Sequence, residues 1–263
     1  MLPEQLGAHI PWGRFDAYID LVLSLGLAPE VAIKGPELDQ LVPQRLERVA
    51  ATFAEHGLRP TVHAPFFDLN PGALDPLVRS ITLQRLSQAL AFAAAINARL
   101  MVIHPGYDRW KYGGLDHLWV EQSLRFWPPL LERAARQQCI LALENIFEEE
   151  PRTLATLLDE IDSPWLGHCF DVGHWNLFCK TPLDNWFELL GRHTRHIHLH
   201  DNRGTADDHL PVDQGQIDFT ALFRHIYALQ NPPSLTLEAH SARDLKKSLS
   251  AVQPYLQKRH ELS

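Results

Sequence analysis

The chain lacks several features that would narrow its class. Its three cysteines, Cys139, Cys169 and Cys179, form no CxxC pair, which argues against a disulfide framework and favours a reducing compartment. No stretch approaches the ~20 consecutive apolar residues of a membrane-spanning helix. The first twelve residues carry neither the basic nor the apolar region of a secretory signal. We therefore expect a cytoplasmic protein without a membrane partner.

Basic residues are also scarce. Lys and Arg total 24 against 32 Asp and Glu, a net charge of −8 with histidine neutral. Such a surface repels polyanions on average, so a nucleic acid is a disfavoured partner, although local basic patches are not excluded. The 263 residues show no linker, repeat or low-complexity tract. A single domain spanning residues 1–263 is the simplest organisation.

Short apolar runs alternate with amphipathic stretches of helical period along the whole chain. The runs predicted as strands are Gln5–Ile10, Glu30–Lys34, Pro60–His63, Leu100–His104, Ile140–Glu144, Leu166–Asp171, His196–His200 and Ser234–Glu238. Eight strands, each followed by a helix, predict an α/β fold: a single (β/α)₈ TIM barrel. A doubly wound open sheet is the alternative, but the first strand is not followed by a GxGxxG turn.

Two proline-containing sequences predict helix boundaries. In Asp75-Pro76, Asp suits the N-cap and Pro the first helical position. The segment Leu115–Gln137 has a helical pattern but contains Pro128-Pro129. Because proline lacks an N–H and clashes with the preceding turn, we expect a kink or a break there.

Ionisable residues end six of the eight predicted strands, where a parallel barrel strand is normally apolar. They are His63, His104, Glu144, Asp171, His198 and Glu238. All lie at C-terminal ends, the face on which barrel enzymes build their active sites. Unpaired charges that converge there would be costly. Carboxylates and imidazoles are ligands of divalent cations, so the pattern predicts a metal site at the barrel mouth.

Three further candidates lie in loops. His174 follows Asp171 at a spacing that puts both on one side of a tight turn, and Asp207 and His209 lie in the segment TADDHLPVDQGQIDF. A solvated surface turn is the alternative for this last pair. In the string HIHLH, residues 196–200, strand alternation sends all three histidines to the same side. Spacing alone does not decide which of them reaches a metal.

These motifs resemble those of a known superfamily over nearly the whole chain. The segments VHAPF, VIHPG, LEN, FDVGH, HIHLHDN, DDHLPVDQGQIDF and LEAH occur in the order found in xylose-isomerase-like TIM barrels. That superfamily contains sugar isomerases and epimerases, inosose dehydratases and isomerases, and DNA-repair enzymes of the endonuclease IV type (AP endonuclease family 2). The resemblance implies an enzyme with its active site at the C-terminal ends of the strands.

The isomerase and epimerase branch implies one metal held by four ligands. Carried over to this chain, they are Glu144, Asp171, His198 and Glu238. In that branch the two glutamates bracket the substrate carbon and exchange its proton, which implies Glu144 and Glu238 as the acid/base pair. The resemblance thus selects His198 from the histidine string.

The endonuclease IV branch implies a trinuclear zinc site. His63 and His104 would hold one metal with Glu144 bridging, and His174, Asp207 and His209 would hold the third. The expected content is therefore one to three divalent ions per chain. Carboxylates suit Mn²⁺ or Mg²⁺ and added histidines favour Zn²⁺ or Fe²⁺, while Co²⁺ also occurs in such sites.

The sequence favours the first branch. The loop of residues 34–39 is short and net acidic, and no stripe of Lys and Arg accompanies it. Arg109, Lys111 and Arg203 suit one small phosphate or carboxylate better than a duplex. We predict a divalent-metal-dependent isomerase or epimerase of a small sugar, polyol or sugar phosphate. An endonuclease IV-like phosphoesterase is the alternative, and an inosose dehydratase-like lyase a further one.

Other residues near the predicted mouth are candidates for substrate contact. His174 would shuttle protons if it does not bind metal, and a homodimer is left open. Aromatic walls and polar contacts would come from His9, Trp12, Phe66, Trp110, Asn145, Trp175 and Arg203. Ordinary packing is the alternative for the aromatic residues among them.

Overall fold

Eight parallel strands close into a barrel in the order in which they occur along the chain. The computed structural model describes residues 6–257. The strands are β1 (Leu6–Pro11), β2 (Ala28–Ala32), β3 (Thr61–His63), β4 (Leu100–Ile103), β5 (Ile140–Glu144), β6 (Leu166–Asp171), β7 (Thr194–Leu199) and β8 (Ser234–Leu237). The predicted (β/α)₈ barrel is confirmed, with every described strand end within two residues of its predicted position. Gln5 lies outside the described residues.

Helices surround the barrel and connect its strands. They are α1 (Phe15–Ser24), α2 (Gly35–Leu38), α3 (Pro43–Glu55), α4 (Pro76–Ala95), α5 (Arg109–Tyr112), α6 (Asp116–Gln137), α7 (Arg152–Ile161), α8 (Val172–Phe178), α9 (Leu183–Leu190), α10 (Phe219–Ala228) and α11 (Ala242–Gln257). Within residues 6–257, none of them combines the length and the apolar character that crossing a membrane requires.

Strand alternation fills the barrel interior in layers. Leu100, Val102, Ala142 and Cys169 are buried and pack on one another. Two residues further along a strand, on the same side, the interior becomes polar. For example, Glu144 follows Ala142 at the end of β5. An apolar cluster from β4, β5 and β6 thus lies beneath the ionisable ends of these strands.

Helix α6 corrects one expectation. It runs unbroken from Asp116 to Gln137 with Pro128 and Pro129 in its interior. The two prolines leave the carbonyls of residues 124 and 125 without their usual donors. The helix face on either side of the prolines is anchored by fully buried Trp127 and Leu130. Core packing therefore overrides the local preference for a break.

Side-chain hydrogen bonds account for two other local features. Asp75 caps α4 as predicted, since its carboxylate accepts a hydrogen bond from the backbone N–H of Leu77. The segment predicted as a loop after β2 contains the single helical turn α2, in which the Lys34 N–H donates to Glu37. That side of the mouth therefore carries one short acidic turn.

Candidate functional site

One imidazole nitrogen lies at the centre of the barrel mouth. His198 Nδ1 is 3.3 Å from Glu144 Oε1, 3.4 Å from Glu238 Oε1 and 3.5 Å from Asp171 Oδ2. All four residues are buried. The ends of β5, β6, β7 and β8 thus bring together the four groups that the resemblance implied as a mononuclear ligand set.

The two oxygens of Glu144 face different histidines. Oε1 lies 3.3 Å from both His198 Nδ1 and His174 Nδ1. Oε2 lies 3.1 Å from His63 Nε2 and 3.2 Å from His104 Nε2. A carboxylate arranged in this way can bridge two cations, each of which also takes imidazole ligands.

The loop after β7 folds back over the mouth. Asp207 Oδ2 is 3.1 Å from His209 Nε2 and 3.5 Å from His174 Nε2. His209 Nδ1 in turn lies 3.4 Å from Glu238 Oε2. His209 is mostly buried in this arrangement, whereas the Asp207 side chain keeps 37% of its surface exposed.

A buried carboxylate at the end of β7 fixes the shape of this loop. Asp201 is fully buried and accepts hydrogen bonds from the backbone N–H groups of Gly215, Gln216 and Ile217. Its own backbone pairs with that of Leu210. Side-chain atoms at position 215 would collide with this carboxylate, so glycine is required there.

The electrostatics of the mouth follow from burial and charge. Burial alone would lower the pKa of His174, but Asp171, Asp207 and Glu144 around it raise that pKa well above its usual value. Burial likewise favours the protonated form of Glu144, yet the neighbouring His104 and His198 hold its pKa well below its usual range. Without cations, protonated histidines balance the buried carboxylates.

Several sets of donors converge closely enough to hold a divalent cation. Within each set the ligand atoms lie within 4.8 Å of one another, and the sets at the mouth are His63, His104 and Glu144; Glu144, Asp171 and His198; and His200, His209 and Glu238. Imidazole and carboxylate donors suit Zn²⁺, Mn²⁺ or Fe²⁺. For a third ion, the resemblance implied His174 and Asp207 beside His209. The convergent set that contains His209 has His200 and Glu238 instead, and His200 had no expected ligand role.

Each histidine of the string HIHLH has a different partner inside the barrel. As predicted, all three histidines point to one side: His196 Nε2 lies 3.0 Å from Glu30 Oε2, His198 occupies the centre, and His200 Nε2 is 3.1 Å from both oxygens of Asp171.

Sequence reasoning missed Glu30. It is fully buried in the middle of β2, in contact with His196 and His198. A signal was present: a charged residue inside a strand that should be apolar on both faces. A search confined to the C-terminal ends of the strands passes over it.

Comparison with known proteins identifies the family. Residues 26–258 match the model of the xylose isomerase-like TIM barrel family. The chain belongs to this family. A curated relative, the uncharacterised protein MJ1311 of Methanocaldococcus jannaschii, is 27% identical over 225 residues, which cover 82% of this chain and 76% of the relative.

Solved structures share the fold of this xylose isomerase-like barrel. A D-tagatose 3-epimerase-like protein superposes with a TM-score of 0.84 at 24% identity, covering 98% of both chains. The TTHB071 protein of Thermus thermophilus, from a crystal soaked with ZnCl₂, gives 0.80 at 26% identity, covering 98% and 99%. Endonuclease IV of the same organism gives 0.68 at 22% identity, covering 97% and 99%. Both branches expected from the motifs therefore have this fold.

Three residues expected to contact substrate have other roles in this xylose isomerase-like barrel. Trp12 is only 4% exposed and packs in the core against Phe92. Both polar atoms of the Asn145 amide bond to the backbone of Asp171. The indole N–H of Trp175 donates to the carbonyl of Thr181. The alternative of ordinary packing describes Trp12 and Trp175, and Asn145 ties β5 to β6.

The remaining expected contacts surround the mouth at different distances. His9 lines a cavity of about 410 Å³ together with Glu238 and His209. The ring of Phe66 stacks on that of His104 at 4.2 Å. Trp110 is 83% exposed and lines a separate cavity of about 510 Å³.

The basic residues expected near the mouth have different surroundings. Arg109 pairs with Glu149 and lies 4.1 Å above the ring of Trp110. Arg203 and Lys111 are exposed.

Proposed function

We propose that this barrel is a multi-metal hydrolase of small phosphate esters. The observation that carries the proposal is the arrangement of Glu144, whose Oε1 faces the central His198 while its Oε2 faces His63 and His104. A mononuclear centre needs only the first of these contacts. Two histidines on the second oxygen are what an adjacent cation would use.

The donor chemistry fits two or three divalent ions. His63, His104 and Glu144 would hold one ion, and Glu144, Asp171, His198 and Glu238 the second. His209 would hold a third with Asp207 and His174, or with His200 and Glu238. Bound ions supply Lewis acidity, which activates water and offsets the negative charge that develops on the phosphoryl oxygens.

The residues of the chain have distinct tasks in such a hydrolysis. Glu144, Asp171 and His198 are almost completely buried, which keeps bulk water away and fixes the donors in place. Asp207 lies part-exposed at the outer edge of the mouth, where its carboxylate, whose pKa the neighbouring His174 and His209 lower against the effect of burial, stays ionised and available to a cation. The cavity beside Glu238 has a volume of about 410 Å³, which suits a small ester.

Duplex DNA is a poor candidate for the substrate. The element that directly follows β2 is the single turn α2, and the chain carries an excess of eight negative charges. Most nonspecific affinity for DNA comes from neutralised phosphates. These observations therefore favour a small phosphate ester over duplex DNA as the substrate.

A metal-dependent epimerase is the second candidate. The observation in its favour is that four residues suffice for its centre and that Glu238 lines a cavity of sugar size. Proton exchange, however, requires Glu144 and Glu238 each to turn an oxygen towards the substrate carbon. The second oxygen of Glu238 instead lies 3.4 Å from His209, and that of Glu144 faces His63 and His104.

Metal counting on the purified full-length protein separates the two candidates. Plasma mass spectrometry should find two or three ions per chain in the wild type and one fewer in the His63→Gln/His104→Gln double variant. The exposed His117→Gln serves as control. The wild type should hydrolyse bis(4-nitrophenyl) phosphate, a generic small phosphodiester, and the double variant should lose at least roughly 100-fold in kcat/KM.

Two other sets of results would change the proposal. One ion per chain, no phosphoester cleavage, and incorporation of deuterium from D₂O next to the carbonyl of a ketose would replace the hydrolase with the epimerase. Rapid cleavage of a duplex with an abasic site would retain the hydrolase but overturn the preference for a small ester.

A further inference from the structure

Glu30 is a charged side chain placed where no solvent reaches it. It lies in the barrel interior with 0% of its surface exposed. Its Oε2 accepts a hydrogen bond of 2.9 Å from the hydroxyl of Thr61, and a longer one of 3.4 Å from that of Thr236. Two hydroxyls and the imidazole of His196, 3.0 Å away, occupy this oxygen. The other oxygen has a different neighbour.

Glu30 Oε1 faces the central histidine of the mouth. It lies 3.1 Å from His198 Nε2, an ion-pair contact, and neither atom takes part in an aligned hydrogen bond among residues 6–257. Buried polar atoms are almost always satisfied, because an unpaired one has lost its hydrogen bonds to water without replacement. The carboxylate is therefore the acceptor within reach of an N–H at Nε2, and the ring must turn for the two to align.

This pairing determines what the opposite side of the imidazole ring can do. A neutral imidazole carries one proton, so a ring with its N–H at Nε2 has a free lone pair at Nδ1. Nδ1 is the atom that lies 3.3 to 3.5 Å from Glu144, Glu238 and Asp171. Only an unprotonated nitrogen can bind a cation.

We propose that Glu30 is a positioning residue of the metal centre, which holds His198 in the orientation and tautomer that present Nδ1 to a cation. The proposal rests on the metal centre of the proposed function but not on the reaction. A second contact extends the same role, since His9 Nδ1 lies 3.6 Å from Glu30 Oε1 and 3.2 Å from Glu238 Oε1. His9 thus links Glu30 to Glu238, the proposed ligand that follows β8.

The test is the affinity of the full-length protein for Zn²⁺ or Mn²⁺, measured by competition with a chromogenic chelator. Glu30→Gln should weaken the most tightly bound equivalent by about 10- to 100-fold, the usual effect of removing a carboxylate that orients a ligand histidine. Glu148→Gln is the matched control. Glu148 is also a buried glutamate, 2% exposed, but it accepts its hydrogen bond from the backbone of Ile146. Its substitution should change the affinity less than twofold.

A second measurement covers the case in which Glu30→Gln fails to fold. Long-range ¹H–¹⁵N correlation spectra of the metal-free wild type at a pH where His198 is neutral, with His198 identified by its loss in His198→Gln, should show the proton on Nε2. A proton on Nδ1 alone would overturn the proposal. So would a folded Glu30→Gln protein with wild-type affinity, or an equal loss in Glu148→Gln.

The outcomes for this proposal and for the proposed function are separate. If the wild type binds no divalent ion, the metal centre and the hydrolase fail together. If it binds ions and Glu30→Gln weakens the binding, the positioning role holds, whichever ester or sugar the enzyme acts on.

Discussion

Two buried glutamates four residues apart show that surroundings decide the charge of a side chain. Burial raises the pKa of Glu148 to about 7, since backbone N–H groups near Ile146 only partly offset it. Glu144 is equally buried, but the neighbouring imidazoles of His104 and His198 outweigh burial and lower its pKa. The same residue type is thus partly protonated at neutral pH behind the mouth and ionised inside it.

Glu238→Gln is expected to abolish turnover, with the loss exceeding roughly 100-fold in kcat. The substitution removes the negative charge of a buried ligand and leaves its shape unchanged, so metal content should fall or stay the same while the fold is kept. Initial rates with bis(4-nitrophenyl) phosphate measure the effect, and the exposed Glu121→Gln is the control. Normal activity in Glu238→Gln would contradict the assigned centre.

His168 should make the protein sensitive to acid. It is 1% exposed, and burial lowers its pKa to about 3, whereas the unfolded chain takes up this proton near pH 6.5. Its contribution to stability is therefore complete above pH 6.5 and is lost as the pH falls towards 3. Between pH 7 and pH 5 the loss amounts to about 2 kcal/mol.

Urea unfolding at the two pH values measures this effect. His168→Leu should lose about 2 kcal/mol less than the wild type over the same interval, because the variant has no group to protonate there. The exposed His117→Leu should follow the wild type. Parallel losses in His168→Leu and the wild type would refute the assignment.

At the scale of elements, the loop after β7 differs most from ordinary loops. It carries Asp207 and His209, and its shape depends on the buried Asp201. His209 and Asp213 adopt φ of +46° and +64°, the left-handed region that favours glycine. Asp213 keeps this glycine-like conformation with the help of a 2.9 Å hydrogen bond that its carboxylate accepts from the hydroxyl of Tyr255.

Asp201→Ala should loosen this loop. Several buried backbone N–H groups would lose their acceptor, at a cost of about 3 kcal/mol or more. Hydrogen exchange should speed up across residues 202–217, and the metal content should fall by one ion. Asp208→Ala, in the same loop, is the control. Unchanged protection of the loop in Asp201→Ala would rule out the anchoring role.

The elements themselves were largely readable from the sequence. Strand length, apolar character and the caps are local properties, so β5 and β6 were predicted at their observed boundaries. The uninterrupted helix α6 was not, because the burial of Trp127 depends on the strands and helices packed around it. A local rule fails where tertiary packing supplies more energy than the local preference.

At the scale of the whole molecule, the barrel concentrates negative charge at one end. Burial opposes protonation of His174 and His198, yet surrounding carboxylates raise both pKa values well above the usual one. Bound cations would replace these protons as the positive charge that offsets the carboxylates, since a ligand histidine must give up its proton. Part of the net charge of −8 is thus located where bound ions would offset it.

Metal uptake should therefore release protons. At pH 7 we expect at least one proton per chain, and an affinity that rises with pH, because the raised pKa values of His174 and His198 keep both protonated in the metal-free form. Calorimetric titrations in buffers of different ionisation enthalpy measure the number. Chelation of the ions with EDTA should lower the Tm, because a ligand that binds only the folded state stabilises it. Metal binding without proton release would contradict this charge balance.

The sequence by itself determined the barrel and the candidate ligands at its mouth. Period-two alternation fixes which side chains face the interior, and the closed barrel gathers all C-terminal strand ends at one face. Only the tertiary structure decided how those side chains meet. It placed Glu30 beneath His198, gave Glu144 two sets of histidines, and used Asn145 to tie two strands together. The physical reason is that each contact joins different strands, so its geometry depends on barrel register and side-chain rotamers that no local pattern encodes.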